Sequence, residues 1–265
     1  MSFNASFQDL KNIFNNNICV SDIAESLISF DSEKPAKTVK KFMIEKEFTV
    51  VGLRRNGEIE GYVNKDNLLD DGTIDSFSKN IDYEISEKAG MMEALNKLKE
   101  NDYYFVKILN KYGGIVTRSD IEKIPFRLWV YGTISIFEII LLDIIRSNYS
   151  NNEITGPLTE NRIKLAKDIF NGRQRKDYAI DFVECLALPD KIKICILKNK
   201  FLLKELELEY EEAKNLKEII INLRNKLAHG NNFEDLRFDE LHRVLIFIHK
   251  FVEKFEKKEL TFNSR

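Results

Sequence analysis

The chain has 265 residues, 43% of them hydrophobic and 32% charged, with a formal net charge of −2. This composition excludes the disordered class, and the length suits one large or two modest domains. Divided at Pro125/Phe126, the first part carries 17 basic and 21 acidic residues and the second 24 and 22. The resulting −4 and +2 tilt only the second part, slightly, toward polyanions.

Few breakers (4 Pro, 11 Gly) place most of the chain in regular elements. Cys19, Cys185 and Cys195 are odd in number and scattered, with no Cys-x-x-Cys spacing, so they are expected to be reduced thiols in a cytoplasmic protein, without a zinc site. The start, MSFNASFQDLKN, lacks the basic-then-apolar order of a signal peptide. The most apolar stretch, Ile134–Ile145, contains Glu138 and Asp143 and is too short to span a bilayer, so no membrane association is expected.

In chain order, Lys34–Glu45 carries Val39, Phe42 and Met43 at helical spacing. Phe48–Arg54 is β-branched and apolar, Arg55-Asn56-Gly57-Glu58 is a hairpin turn, and Ile59–Val63 is the return strand. A helix start follows at Asn64–Leu69. The same order recurs: helix at Met91–Lys99, strand at Tyr103–Leu109, turn at Asn110-Lys111, return strand at Gly113–Val116, helix start at Thr117–Lys123. Gly61 and Gly114, which open matching stretches, are 53 residues apart. A duplicated helix–strand–strand–helix unit is therefore predicted.

Beyond Pro125 the strand signals fade. Leu128–Ser147, Thr159–Phe170, Tyr178–Leu186, Lys191–Lys198, Phe201–Ala228 and Glu240–Lys258 follow helical patterns, the last with an apolar stripe through Leu241, Val244, Leu245, Phe247, Ile248, Phe251 and Val252. The fold class expected is α+β: an α/β repeat pair over residues 1–125, then an all-α bundle over 126–265. The connection Ile121–Leu128, with Pro125 at the junction, couples the two closely.

GGIVTRSD, Gly113 to Asp120, resembles the Gly-apolar-apolar-Thr-x-x-Asp signature of the cystathionine β-synthase (CBS) domain, which usually occurs as tandem pairs. The resemblance covers about residues 18–125. It implies an AMP- or ATP-like adenine nucleotide as regulatory ligand, with Thr117 at the phosphate, Asp120 at the ribose hydroxyls and Gly114 opening the motif. The chemistry is reasonable, since a carboxylate accepts both ribose hydroxyls and free amides at a helix start donate to phosphate. The residues themselves leave a second role open: Thr117 as helix cap and Asp120 as complement to the helix dipole. In the first repeat the matching stretch is GYVNKDN, with Asn64 in place of Thr and Asn67 in place of Asp, so at most one good nucleotide site per chain is expected.

RNKLAHG, Arg224 to Gly230, lies at the end of a long amphipathic pattern and resembles the Arg-(polar)-x-x-x-His motif of the HEPN superfamily, small helical bundles, often dimeric, many of them metal-independent ribonucleases. The match covers roughly residues 127–260. Cleavage by the 2′-hydroxyl of RNA needs a proton carrier near neutrality, which His229 supplies, and a cation against the developing phosphoryl charge, which Arg224 supplies. Asn225 hydrogen-bonds a phosphate or orients the other two. The products would be a 2′,3′-cyclic phosphate and a 5′-hydroxyl, with no metal or other cofactor required.

Five positions along a helix leave Arg224 and His229 about 140° apart. Gly230 ending the helix, or a homodimer pairing two motifs across a two-fold axis, would bring the groups together. The wide apolar stripes of the first and last helices offer an interface for that dimer. His242 and His249, seven apart, read as interface or surface residues. Two places after His229 stands Asn231, where the nucleotidyltransferase-linked members carry Tyr. Arg173, Arg175 and Lys176, in a Gly-containing loop, are candidate RNA-phosphate contacts, with a solvated loop as the alternative. The expected function is a nucleotide-regulated endoribonuclease of stress response or defence; the alternative is a non-enzymatic nucleotide sensor or adaptor binding RNA or a protein.

Overall fold

The structure is a computed structural model that describes residues 12–14, 17–175, 180–229, 233 and 236–257. The fold is mixed α+β. The chain divides into two compact units, Asn15–Arg127 and Leu128–Arg265, the second also including residues 12–14.

The first unit is built twice over. Strand β1 (Glu25–Ser26) is followed by β2 (Ser29–Asp31), helix α1 (Ala36–Glu45), β3 (Val50–Arg55) and β4 (Glu58–Asn64). Then come β5 (Glu84–Ser86), α2 (Met91–Glu100), β6 (Tyr103–Ile108) and β7 (Lys111–Thr117). The sheets run β2-β3-β4 and β1-β7-β6-β5. In each repeat the first strand pairs parallel with the second, and the second antiparallel with the third. The register slips at Leu53/Arg54 and again, 53 residues on, at Val106/Lys107. One extra residue on the return strand is thus conserved between the halves as a β-bulge.

The first hairpin turns as the Asn-Gly signal requires, with φ of 51° at Asn56 and 82° at Gly57. The second turns one residue earlier than the sequence suggested. Its central pair is Leu109-Asn110, at φ 48° and 66°, and β7 begins at Lys111. These positions match Asn56-Gly57 by the 53-residue offset, so repeat geometry overrides the poor fit of Leu to positive φ.

Periodicity decides the cores. Ala36, Val39 and Met43 of α1 pack with Val51, Leu53 and Val63. Leu27, Val50, Tyr62 and Phe105 form a second cluster, in which the Tyr62 and Phe105 rings lie 4.9 Å apart and join residues of both sheets. Gly61 is required there: a Cβ would sit 2.8 Å from the Lys79 carbonyl oxygen, and Lys79 bridges Tyr62.

The helical unit follows. Its first helix, α3, spans Ile124–Asn148, so Pro125 lies in the first turn rather than at a break, a position where its missing N–H costs nothing. Ile134–Ile145 is thus part of a 25-residue helix that by length and composition is long and apolar enough to cross a membrane, and 61% of its most apolar window is buried within the protein. Helices α4 (Glu160–Gln174), α5 (Tyr210–Ala228) and α6 (Phe238–Glu256) are the other long ones among the described residues. Phe137 of α3 meets Phe251 of α6 edge to face at 5.1 Å, and Leu241, Val244, Leu245, Ile248 and Val252 are buried with it. The stripe expected to serve a dimer on the last helix is therefore consumed by the chain's own core.

Three helical patterns are corrected. Phe201–Ala228 is broken: a short helix, Lys200–Glu205, ends before Glu207, whose φ is 56°, and α5 starts at Tyr210. Lys191–Lys198 lies partly in a π-helical segment, Lys193–Leu197, in which Lys198 N donates to Lys193 O five residues back. The described part of Tyr178–Leu186 holds a 3-10 turn at Phe182–Cys185 instead of an α-helix, with the Asp181 side chain accepting from Glu184 N at 3.0 Å. Buried charge beside these segments is matched: Asp190 by Arg162 at 2.6 Å and Lys191 by Glu138 at 2.8 Å.

Trp129, the single tryptophan, is buried in this unit, so its fluorescence reports the helical unit. Phe251→Ala removes a fully buried ring and is expected to cost about 3–5 kcal/mol in a urea titration followed at Trp129. An unchanged midpoint would show that the α3–α6 contact is not the core.

Candidate functional site

Two groups of residues carry the candidate chemistry, one in each unit. In the first unit, β7 ends at Thr117 and the chain enters a 3-10 turn, Arg118–Glu122. Asp120 folds back over this start. Its Oδ2 accepts from Thr117 N at 2.6 Å and from Thr117 Oγ1 at 2.9 Å, and its Oδ1 meets Lys123 Nζ at 2.7 Å. Lys123 Nζ also donates to Ile23 O at 2.6 Å and meets Glu25 Oε1 at 3.0 Å. Burial works against the Lys123 charge, but its bonds to Asp120 and Glu25 outweigh it and hold the ammonium above its ordinary value.

Asp120 is 4% exposed. The Asp120 carboxylate closes the Thr117 amide, whereas the Thr117 hydroxyl donates to that carboxylate and makes no cap bond of its own; a ribose would have to share a carboxylate that already accepts three bonds. Gly114 is buried where β7 pairs with β1, opposite Ser26. A Cβ there would lie 3.2 Å from Glu25 O and 3.1 Å from the Val106 Cβ, so the glycine admits the neighbouring strand. In the first repeat Asn64 caps the matching turn by accepting from Asp66 N at 2.9 Å.

Sequence reasoning missed two parts of this arrangement. One is Lys123, which ties the turn to Ile23 and Glu25. The other is a second copy of the turn at Cys19–Asp22, where Cys19 N donates to Asp22 Oδ2 at 2.7 Å as Thr117 N does to Asp120. The signal was present: Ser21-Asp22-Ile23 repeats Ser119-Asp120-Ile121.

In the helical unit, Arg224 and Asn225 occupy the last turns of α5, and His229 follows its last residue with φ −99° and ψ 5°. His229 N still bonds Asn225 O at 3.1 Å, which closes the final turn. The Arg224 guanidinium donates to Asn225 Oδ1 at 3.3 Å, so Asn225 orients Arg224. All three side chains are exposed. Among the described residues no hydrogen bond joins Arg224 to His229. Gly230 and Asn231 lie outside the described residues, as does Lys176. Arg173 and Arg175 are exposed, but Arg173 is in the last turn of α4 and Arg175 is its C-cap, not a loop. Gly172 is carried inside that helix end, at a tolerable cost of about 1 kcal/mol. His249 is on the surface 3.4 Å from Glu253.

No protein-family model matches the chain, and no curated protein matches it. Solved structures similar to it include CBS-domain proteins. A CBS domain pair/ACT domain protein from Thermotoga maritima is 18% identical, with a TM-score of 0.34, over 38% of this chain and 91% of its own. A CBS domain-containing protein from Bacillus anthracis is 14% identical, with a TM-score of 0.37, over 42% and 94%. The CBS-pair protein CBSX2 from Arabidopsis thaliana is 15% identical, with a TM-score of 0.36, over 39% and 90%; CBSX2 has also been solved in complex with AMP.

Asp120→Ala leaves the amide and hydroxyl of Thr117 without their acceptor and is expected to destabilise the first unit by about 1–3 kcal/mol. Asp120→Asn, which keeps an acceptor, should lose less. Urea midpoints followed by far-UV circular dichroism check the order; equal stability of all three chains would show that the carboxylate is not a structural cap.

Proposed function

We propose that this chain is a nucleotide-regulated, metal-independent endoribonuclease, with an adenine nucleotide as regulatory ligand of the first unit and Arg224 and His229 of the helical unit acting on RNA. One observation carries the reading: both side chains stand exposed at the end of α5, within reach of a sugar-phosphate chain. A guanidinium buried among carbonyls could not do this work.

In the proposed reaction the RNA 2′-hydroxyl attacks the adjacent phosphorus. The new bond is O2′–P and the broken one is P–O5′. An imidazole takes the 2′-hydroxyl proton, and a protonated imidazole gives one to the departing O5′. Arg224, oriented by Asn225, faces the charge gathering on the non-bridging oxygens. A single chain brings one motif imidazole. A homodimer with two α5 ends at a shared cleft brings two, and removes the difficulty that Arg224 and His229 diverge by about 140° on one helix. Arg173 and Arg175 are the proposed further phosphate contacts. The nucleotide reading rests on the GGIVTRSD resemblance, and its signal would pass along Ile121–Leu128.

The divergence of Arg224 and His229 favours a second reading, a non-enzymatic adenine-nucleotide sensor that binds RNA or a protein through the helical unit. The two readings separate in one assay. Labelled RNA incubated with the full chain in EDTA should be cut. Arg224→Ala and His229→Ala should each reduce the rate at least about 100-fold, the scale of a lost proton carrier or charge-stabilising donor. Cleavage retained in both variants rejects the site, and no cleavage by the parent chain selects the sensor. Calorimetry with AMP and ATP tests the other half: Asp120→Asn should weaken binding about tenfold, and unchanged affinity rejects Asp120 as a ligand.

A further inference from the structure

The corner that follows the π-helical segment forms a cavity of about 560 Å³, within the size range of small-ligand sites. Tyr149, Ile194, Lys198, Asn199, Lys200 and Phe201 are among its lining residues. The i→i+5 bond from Lys198 N to Lys193 O ends one helical segment, and Asn199 caps the next by accepting from Leu202 N at 3.0 Å. Only two residues, Lys198 and Asn199, separate the two helical runs, and π segments recur at functional sites.

Three features of this corner are not explained by packing. Phe201 is 57% exposed, although Leu202 and Leu203 beside it are buried. Lys198 and Lys200, both exposed, precede Phe201 by three and one positions and form no ion pair among the described residues. The Tyr149 hydroxyl is buried without a hydrogen-bond partner of normal geometry, the Asn199 side chain being the polar group beside it. Burial pushes this phenol up to about 12, so it remains a neutral donor. The one carboxylate on the rim, Glu153, is turned to Ser150, accepting from its amide at 2.8 Å and its hydroxyl at 2.7 Å.

We propose that this cavity receives one unpaired nucleotide of a single-stranded RNA, with the base stacked on Phe201 and hydrogen-bonded by Tyr149, and its flanking phosphates against Lys198 and Lys200. An exposed aromatic ring with cations beside it is a usual means of holding an unstacked base of a single strand. The inference rests on the RNA reading of the helical unit and adds a subsite made of other residues than Arg224, Asn225 and His229.

The test uses the full-length wild-type chain in EDTA and a fluorescein-labelled, fully 2′-O-methylated oligonucleotide, which binds but offers no nucleophile. Anisotropy should show Phe201→Ala weakening binding about tenfold, Phe201→Trp preserving it, and Tyr149→Phe weakening it less than Phe201→Ala. Lys198→Glu with Lys200→Glu should weaken it further and flatten its salt dependence, as expected for two lost phosphate contacts. Circular dichroism confirms that these surface variants fold. Binding unchanged in Phe201→Ala overturns the subsite and leaves the cleavage site standing, because that site is read by the loss of cutting in Arg224→Ala and His229→Ala. No binding by the wild-type chain overturns the subsite. Phe201-dependent binding of AMP without binding of the oligonucleotide overturns the RNA assignment in favour of a free nucleotide.

Discussion

The functional account depends on where the packed layer beneath α5 stops. Ala213, Leu216, Ile220 and Leu223 are buried and fix one side of this helix against the unit. Arg224 follows Ile220 by four positions, so its direction differs from that of Ile220 by only about 40°. Periodicity alone would assign it to the apolar side. It is nevertheless exposed, one position past the last buried residue of this helix, Leu223. A guanidinium tolerates this position only with water or a polar partner available. The helix then ends at Ala228, and ideal helical spacing would set His229 about 140° from Arg224. The core thus places a cation and an imidazole at one tip with no hydrogen bond between them among the described residues, and the catalytic reading calls for a second copy.

The first unit shows a different economy. Its repeated turns at Cys19–Asp22 and Thr117–Asp120 use a carboxylate to close their own first amide. In the second turn the same carboxylate also holds Lys123, which in turn holds Ile23 O and Glu25. A group placed in this way supports the strands around it, and any ligand that uses Asp120 must compete with those bonds. Nucleotide binding there would accordingly be coupled to the packing of β1 against β7. The Asn64 turn in the first repeat is closed by a neutral amide and has no comparable charge to share.

Much of this was legible from residues alone, and the exceptions have physical causes. Asn56-Gly57 announced its turn because both residues accept positive φ; Leu109-Asn110 did not, because leucine is held there by its partner strands and not by its own preference. The break at Glu207 was hidden because glutamate, too, has no preference of its own for positive φ. The π segment left no sequence mark; beside it lie the buried Lys191–Glu138 pair and Cys195, whose thiol reaches Leu141 O at 3.6 Å and is pushed up by burial. Gly172 suggested a loop around Arg173, yet one exposed glycine did not stop α4. The motif RNKLAHG marked the end of a helix but not its start at Tyr210, and the exposure of its side chains is a property of the layer beneath them. The tie from Lys123 to Ile23 and Glu25 and the Tyr149–Phe201 corner have no local signature, because the residues that meet there lie far apart in sequence.

The central claim is that RNA is cut by its own 2′-hydroxyl at the Arg224/His229 end of α5. The most direct measurement incubates the wild-type chain in EDTA with two end-labelled RNAs of one sequence, one unmodified and one carrying a single 2′-deoxy nucleotide on the 5′ side of the mapped cleavage position. The account predicts cutting of the first, with a 2′,3′-cyclic phosphate left on the upstream fragment, and no cutting of the second at that position. Cleavage of both at equal rates would contradict it.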